Sequence, residues 1–347
     1  MFDSPLMSLN SSISCRDCHL DEFSSTDGLP NAVGAGASGT GRARMHSGGE
    51  IIPRNVLPLW GRGNKGFETF FWDGKVQMVE GQVISQYGEL VSSNDPMVVA
   101  ALLPSVEIRE MLADGSEVRQ KLADEDVATA AAVQEQITKR FVSDADIGPK
   151  LAQAAGKQPQ DVQFLDVAQA LAAFIRHEFR IRPTKFHRFV FDNGPITQSE
   201  LNGGILFYGR GRCVACHNGP YFTDFQFHAV AFPQVGFGKN GFGIDEGRYN
   251  VTLDPKDRFL FRTPPLYNVA HTGPYSHSGS VNRLEAAIIA HFDPLRLVQV
   301  DDMNAQERTD LLRRLGAAGK ETLPSSLTDE EVGDLSAFLE TLSFSNR

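Results

Sequence analysis

Two five-residue stretches share the pattern C-x-x-C-H: Cys15-Arg16-Asp17-Cys18-His19 and Cys213-Val214-Ala215-Cys216-His217. Together they contain all four cysteines of the 347-residue chain. The pattern is typical of covalent haem attachment, because two cysteines can form thioethers to one haem while the adjoining histidine binds its iron. The sequence therefore predicts two covalently bound haem c groups, with His19 and His217 as iron ligands.

Paired cysteines also occur in two other kinds of site. The pairs could supply four sulfurs to one zinc ion, or each pair could form a redox-active dithiol. Zinc would require the pairs to converge across almost two hundred residues, and neither alternative explains why a histidine follows both pairs. Haem attachment explains both features and is the predicted chemistry.

The expected compartment follows from the cofactor. Haem c is attached outside the cytoplasm, so we expect a periplasmic protein. The opening residues, MFDSPLMSLNSS, have neither the basic nor the apolar segment of an export signal. We therefore expect that the given chain is a processed or truncated form.

Charge and hydropathy limit the function classes. The formal net charge of −10 argues against binding to nucleic acid or to an anionic membrane surface, and it favours a basic protein partner. No apolar run approaches the ~20 residues that span a bilayer, so no membrane span is expected. The 32 glycines and 18 prolines indicate long loops between helices.

The predicted fold class is mainly α, with two cytochrome c-like haem domains and long loops. Helical periodicity extends over 94–141 and 160–179, and the capping patterns at Thr197 and Thr328 each predict a helix start. The predicted domains are 1–185, which holds the first haem motif, and 186–347, which holds the second. The last helix is expected either to stay with the second domain or to pack back on the first.

With two haem motifs in one chain, several intervening segments become recognisable, and the sequence resembles the di-haem cytochrome c peroxidase family, which also contains MauG. The resemblance covers most of the chain and implies two α domains with one haem each. It rests on six segments in this order: FDSPLMSLNSSISCRDCH at 2–19, PRNVLPLW at 53–60, FFWDG at 70–74, EIREML at 107–112, LFYGRGRCVACHNGPYFTD at 206–224 and FRTPPLYNVAHTGPYSHSG at 261–279.

The family divides the work between its haems, and the resemblance implies that the His19 haem reacts with hydrogen peroxide. Glu110 occupies the position of the family's acid/base glutamate, before a methionine; Glu107 is a rival, and a solvated helix residue is the alternative. His46 lies where some members carry a histidine that caps the first iron until the enzyme is activated. It is either that cap or an ordinary loop histidine.

The resemblance assigns electron transfer to the His217 haem. The axial methionine of peroxidases, or tyrosine of MauG, falls fourteen residues after His277, and this position is His291 here. A second histidine ligand lowers the iron potential relative to methionine, which puts ordinary cytochrome c in doubt as the donor. Trp72 matches the tryptophan that the family places between the haems; Trp60 is the alternative relay.

Two further sets of residues are candidates for a calcium site and for binding a haem propionate. The family binds an interdomain calcium ion through an asparagine and backbone carbonyls, and Asn55, Thr272 and Pro274 match those positions. Arg248 and Arg262 are candidate partners of a haem propionate; surface ion pairing is their alternative fate.

Three functions fit these features. The first is a peroxidase that reduces hydrogen peroxide with electrons from a small redox protein. The second is a MauG-like oxidase that withdraws electrons from side chains of a partner protein. The third is a di-haem electron carrier without enzymatic activity. A homodimer is one assembly that all three allow.

Overall fold

The chain is described by a computed structural model over residues 1–88, 90, 93–112, 117–319 and 326–344, and it is mainly α-helical, as predicted. It divides into two compact units. The first comprises Met1–Leu20, Ala32–Ile52 and Gly61–Arg180, and the second comprises Asp21–Asn31, Pro53–Trp60 and Ile181–Arg347. Each unit thus contains one C-x-x-C-H motif. The assignment of haem domains to 1–185 and 186–347 stays a prediction.

The first unit is built around a helical core. Helix α6 (Phe164–Glu178) packs against three other helices of this unit and buries Val167, Leu171 and Ile175 on one face, as the helical periodicity over 160–179 predicts. His177 lies off that face and is exposed. The helices of this unit are α1 (Arg42–Met45), α2 (Pro96–Leu102), α3 (Glu117–Ala123), α4 (Val127–Ser143), α5 (Ile147–Ala155) and α6 (Phe164–Glu178).

Helical periodicity over 94–141 predicts helix in this range, and its described residues form α2, α3 and α4. Asp95 caps the start of α2, and Asp126 caps the start of α4. Between them Pro104 lies in a 3₁₀ turn, since proline cannot donate the hydrogen bond that an α-helix would need there. Residues 113–116 lie outside the described residues.

A small antiparallel sheet in the first unit was not predicted. Its strands are β1 (Thr69–Phe70), β2 (Val76–Val79) and β3 (Gln82–Ser85). Glu80 and Gly81 form the two-residue turn between β2 and β3 and have φ values of 49° and 80°. Positive φ at both positions gives a turn whose twist matches a hairpin. Strands β1 and β2 lie on either side of residues 71–75, so their pairing holds both ends of the turn that contains Trp72.

The second unit starts two of its helices as the sequence predicts. Thr197 with Glu200 and Thr328 with Glu331 each form a complete capping box. The helices are α7 (Lys185–Asp192), α8 (Gln198–Tyr208), α9 (Tyr249–Thr252), α10 (Leu284–Phe292), α11 (Ala305–Ala318) and α12 (Asp329–Glu340), and the strands are β4 (Phe227–His228) and β5 (Phe261–Arg262).

Helices α8 and α12 approach each other closely. A Cβ atom on Gly203 would lie 1.9 Å from the carbonyl oxygen of Asp334, so only glycine fits at this crossing. Helix α8 leads directly into the second C-x-x-C-H motif, and its packing on α12 therefore positions that motif. Within the described ranges, no helix combines the length and apolar character needed to cross a membrane.

Candidate haem sites

The first C-x-x-C-H motif is held in a 3₁₀ turn at Cys15–Asp17. The carboxylate of Asp17 accepts hydrogen bonds from the backbone nitrogen and hydroxyl of Ser14, at 2.8 and 2.7 Å, and the backbone nitrogen of His19 donates to the carbonyl of Cys15 at 3.0 Å. The ring of His19 lies 6.3 Å from the buried ring of Phe2. The two cysteines and His19 are thus fixed by local hydrogen bonds.

A buried arginine anchors the loop that carries His46. The guanidinium of Arg44 is 1% exposed and donates to the carbonyls of Val33 at 2.6 Å and Gly34 at 3.3 Å. It also pairs with Asp17 of the first motif at 3.4 Å. His46, two residues further on, lies at the end of α1 and is exposed to solvent.

Glu110 lies beside the first haem motif. The backbone nitrogen of Ala35 donates to the carbonyl of Arg109 at 3.0 Å, and a Cβ on Gly34 would come within 1.9 Å of that same oxygen. This contact holds the segment at Glu110 against the loop that follows the motif. Burial, and after it the charge of Glu110, raises the pKa of the Cys15 thiol to about 12, which indicates that the two side chains are close.

The carboxyl group of Glu110 titrates near neutral pH. Burial and then the neighbouring Glu107 carboxylate raise its pKa to about 7, while the ammonium of Lys75 opposes them. Glu107, the rival candidate, forms a largely buried ion pair with Lys75. A carboxyl group whose pKa lies near neutrality can both accept and return a proton at physiological pH. These surroundings fit the predicted acid/base role of Glu110 better than that of Glu107, whose carboxylate is paired with Lys75.

The two tryptophans have different surroundings. Trp72 is partly buried in the turn after β1, between Phe71 and Gly74, whose φ values are 64° and 67°. Trp60 is buried in the second unit, where its indole nitrogen donates to the carbonyl of Ser24 at 2.9 Å. Trp72 thus belongs to the unit that carries His19, and Trp60 to the unit that carries His217.

The second motif repeats the turn of the first. A 3₁₀ turn spans Cys213–Ala215, and the backbone nitrogen of His217 donates to the carbonyl of Cys213 at 2.8 Å. The imidazole Nδ1 of His217 donates to the carbonyl of Phe222 at 3.0 Å. This bond places the proton on Nδ1 and leaves Nε2 with a lone pair for a metal.

His291 on α10 faces His217. Its Nδ1 donates to the carbonyl of Ala287 at 2.8 Å, and the two imidazole centres lie 6.4 Å apart at an angle of 63°. Two imidazoles that bind one metal through nitrogens at about 2 Å would have ring centres roughly 6 Å apart. Burial lowers the pKa of both imidazoles, that of His217 to about 4, which favours the neutral form that can bind a metal. The pair has the chemistry and spacing to hold the iron of a haem.

The residues predicted to bind calcium all lie in the second unit, and two of them are in contact. The side-chain nitrogen of Asn55 donates to the carbonyl of Pro274 at 2.5 Å. Thr272 is buried, and its hydroxyl donates to the carbonyl of Val269 at 3.2 Å. A cation between Asn55 and Pro274 would require the amide to turn so that its oxygen faces the ion.

The two candidate propionate partners differ in burial. Arg262 is 0% exposed, donates to the carbonyl of Thr263 at 3.1 Å and lies 6.0 Å from the ring of Phe225. Arg248 is partly exposed and lies over the ring of Phe227 at 4.4 Å. A fully buried guanidinium needs charged or polar partners, so Arg262 is the better suited of the two to a buried carboxylate.

Sequence reasoning missed several residues around both motifs. Arg44 and Lys75 are single basic residues whose partners are distant in sequence, so no spacing identifies them.

Beside the second motif, the Cys216 sulfur and ligand atoms of Asp224 and His228 all lie within 4.8 Å of one another. The i, i+4 spacing of Asp224 and His228 is a sequence signal for this hydrogen-bonded pair, which has a separation of 2.8 Å.

The comparison with protein families agrees with this geometry. A model described as "Di-haem cytochrome c peroxidase" matches residues 1–194, more than half of the chain. The chain belongs to this family. The predicted resemblance to this family is therefore confirmed.

Relatives within the family carry both of the names that the resemblance implied. Cytochrome-c peroxidase IdrP1 of Denitromonas iodatirespirans is 31% identical over 175 residues, which cover 44% of this chain and 42% of that protein. Methylamine utilization protein MauG of Methylorubrum extorquens is 26% identical over 99% of this chain and 76% of its own length. The alignment thus spans less than half of the first relative.

A solved structure supports the fold. The crystal structure of a MauG-like protein associated with microbial copper homeostasis aligns with a TM-score of 0.70, covering 99% of this chain and 87% of that chain at 23% identity. This similarity confirms the predicted helix-rich fold.

Proposed function

We propose that this protein is a di-haem peroxidase that reduces hydrogen peroxide at the His19 haem, with electrons delivered through the His217 haem. The observation that carries the proposal is Glu110, a desolvated carboxyl group beside the first attachment motif whose pKa is raised to about 7. A glutamate on a solvated surface would have the ordinary pKa of 4.5 and would remain ionised. One haem in each unit is part of the proposal.

Glu110 would move the proton that peroxide cleavage requires. When bound, the haem supplies an iron at which the O–O bond can be reduced. The ionised carboxylate of Glu110 would accept a proton from one peroxide oxygen and return it to the other, which leaves as water when the O–O bond breaks. Overall, one peroxide, two electrons and two protons give two molecules of water.

The second haem would be the point of electron entry, and His217 and His291 would hold its iron. The support is the 6.4 Å spacing of two neutral imidazoles whose Nδ1 atoms are both bound to backbone carbonyls. Electrons would reach the first haem through Trp72, which lies in the same unit as His19. A small redox protein is the proposed donor, and the periplasm is the proposed compartment.

Calcium is the third proposed cofactor, at Asn55, Thr272 and Pro274. The proposal rests on the family resemblance and on the contact between the Asn55 amide and the Pro274 carbonyl. These are oxygen-bearing groups of the kind that Ca²⁺ prefers, once the amide oxygen faces the ion.

The test measures the reaction of the haem-loaded protein with hydrogen peroxide by stopped-flow absorption. Glu110→Gln should slow the peroxide reaction by about 10² to 10⁴-fold while both haems remain attached. The matched control is Glu68→Gln, because Glu68 is an exposed glutamate of the same unit. An unchanged rate in Glu110→Gln would refute the acid/base role.

A MauG-like oxidase is the second candidate, and His291 is the observation that favours it. An imidazole ligand stabilises a higher oxidation state of the second iron better than methionine does. Steady-state turnover with reduced cytochrome c separates the two enzymes, because only the peroxidase consumes that donor catalytically. Two low-spin haems that do not react with peroxide would instead support a plain electron carrier.

A further inference from the structure

A buried ion pair joins two segments of the first haem site. The ammonium of Lys75 contacts the carboxylate of Glu107, and the two side chains are only 8% and 15% exposed. The same ammonium lies 4.4 Å from the centre of the Phe71 ring, in cation–π geometry. Salt bridge and ring together hold the charge of Lys75 in one position.

The pair connects the turn that contains Trp72 to the segment that contains Glu110. Lys75 follows that turn directly, and its backbone nitrogen donates to the carboxylate of the fully buried Asp73 at 3.2 Å. Glu107 lies three residues before Glu110. The proposed electron relay and the proposed proton-transfer group are thus linked through one ion pair.

Among the described residues, two charged groups act on the carboxyl group of Glu110. They are Glu107, from its own segment, and Lys75, the residue before β2. Glu110 in turn acts on the Cys15 thiol of the first motif, which a thioether to haem would make non-titratable. Farther out, Asp73 acts on Lys75, and the phenol of Tyr87 is affected by Glu107.

We propose that Lys75 and Glu107 are a positioning pair for peroxide cleavage, which sets the proton occupancy of Glu110 and ties the turn that contains Trp72 to the segment that contains Glu110. The inference rests on the proposed function, because it assigns a task to residues around the proposed acid/base. Neither residue is proposed to touch the peroxide.

The two members of the pair act on Glu110 in opposite directions. Lys75 stabilises the ionised carboxylate, so its loss should make Glu110 harder to ionise. Glu107 destabilises the ionised carboxylate, and its neutralisation also leaves the Lys75 charge without its counter-ion; both effects make Glu110 easier to ionise. A residue that served only to support the fold would not produce two shifts of opposite sign.

The experiment uses the haem-loaded protein and compares Lys75→Met, Glu107→Gln and the conservative Lys75→Arg. The rate of the peroxide reaction is measured between about pH 5 and pH 9, together with an infrared titration of the Glu110 carboxyl band. The band is identified by its loss in Glu110→Gln. Glu80→Gln, on the exposed hairpin turn, is the control.

Lys75→Met should move the midpoints of the pH–rate profile and of the infrared titration to higher pH. Glu107→Gln should move both midpoints to lower pH. Each shift should be about one pH unit, which is a tenfold change in the ionised fraction of Glu110 below the midpoint. Lys75→Arg should restore the wild-type midpoint. Unchanged midpoints, or shifts of the same sign, would overturn the inference. If Lys75→Met loses haem or fails to fold, Glu107→Gln still gives the decisive shift.

Failure of the inference can be told from failure of the proposed function. If Glu110→Gln slows the reaction but the midpoints do not move, the acid/base role stands and the positioning role is wrong. If Glu110→Gln reacts as the wild type does, both are wrong.

Discussion

The imidazole centres of His217 and His291 lie 6.4 Å apart, and each ring is oriented by a hydrogen bond from its Nδ1 to a backbone carbonyl. One carbonyl belongs to the loop after the second motif and the other to the preceding turn of α10. The facing Nε2 positions are therefore determined by backbone geometry, which gives a direct prediction about the second iron.

We expect His291→Met to raise the midpoint potential of the second haem, because a thioether ligand favours the reduced iron relative to imidazole. Spectroelectrochemical titration measures this potential. His291→Ala should instead open the sixth position and convert that iron to a high-spin form, visible by electron paramagnetic resonance. His271→Met is the matched control, since His271 is exposed in the same unit. If the spin state and potential remain those of the wild type, His291 is not a ligand.

The raised pKa of Glu110 predicts how peroxide reactivity depends on pH. A base must be ionised to accept a proton, so the rate should rise as the pH increases through about 7. Stopped-flow rates over this range test the prediction, and the rise should be absent in Glu110→Gln. A rate that falls through the same range would indicate that the protonated form is required.

The raised pKa of Glu110 also affects the stability of the fold, which should fall with increasing pH where the reaction rate rises. The Glu110 pKa is 4.5 in the unfolded chain and about 7 in the folded protein, so between these values the folded state binds more protons. Its contribution to stability is therefore fully present below pH 4.5 and is lost as the pH rises through about 7. Thermal unfolding of Glu110→Gln should lack this component. If the melting temperatures of the wild type and of Glu110→Gln change equally between pH 4.5 and about 7, this prediction is wrong.

The position of His46 predicts that the first haem needs no prior reduction. Because Arg44 fixes α1 through buried hydrogen bonds while His46 is exposed, we propose that His46 does not bind iron in the resting state. The fully oxidised protein should react with peroxide directly, and His46→Ala should react at the same rate. The control is His177→Ala, another exposed histidine of this unit. A reaction that requires prior reduction in the wild type and not in His46→Ala would assign the capping role to His46.

Removal of calcium should lower the thermal stability and the activity of the haem-loaded protein, and Ca²⁺ should restore both. Ligand binding stabilises the folded state according to its concentration and affinity. Asn55→Ala should weaken the Ca²⁺ dependence of the melting temperature, whereas Asn282→Ala, at an exposed asparagine of the same unit, should not. Equal melting temperatures with chelator and with Ca²⁺ would exclude the site.

The features that the sequence predicted correctly depend on local patterns. The Thr197 and Thr328 capping boxes form within four residues, and the apolar stripe of α6 follows from helical periodicity alone. The helix-rich class and the family likewise follow from two short motifs and several recognisable segments. Each of these signals lies within a few residues of the structure that it specifies.

The features that the sequence did not reveal depend on distant contacts. Arg44 binds carbonyls at Val33 and Gly34, and Lys75 pairs with Glu107, 32 residues away. A single arginine or lysine in a sequence is most often a solvated surface residue, so neither pattern indicates burial. The division of 94–141 into separate helices was also missed, since periodicity does not register an aspartate cap as an interruption.

The separate hydrogen bonds that orient His217 and His291 have an evolutionary consequence. The anchor of His217 is the Phe222 carbonyl, which no substitution at residue 291 removes. Exchange of that one side chain would alter the electron affinity of the second iron while the attachment motif and its anchor persist. A change at this one codon would therefore suit the second haem to a different redox partner, while the hydrogen bond of His217 stays in place.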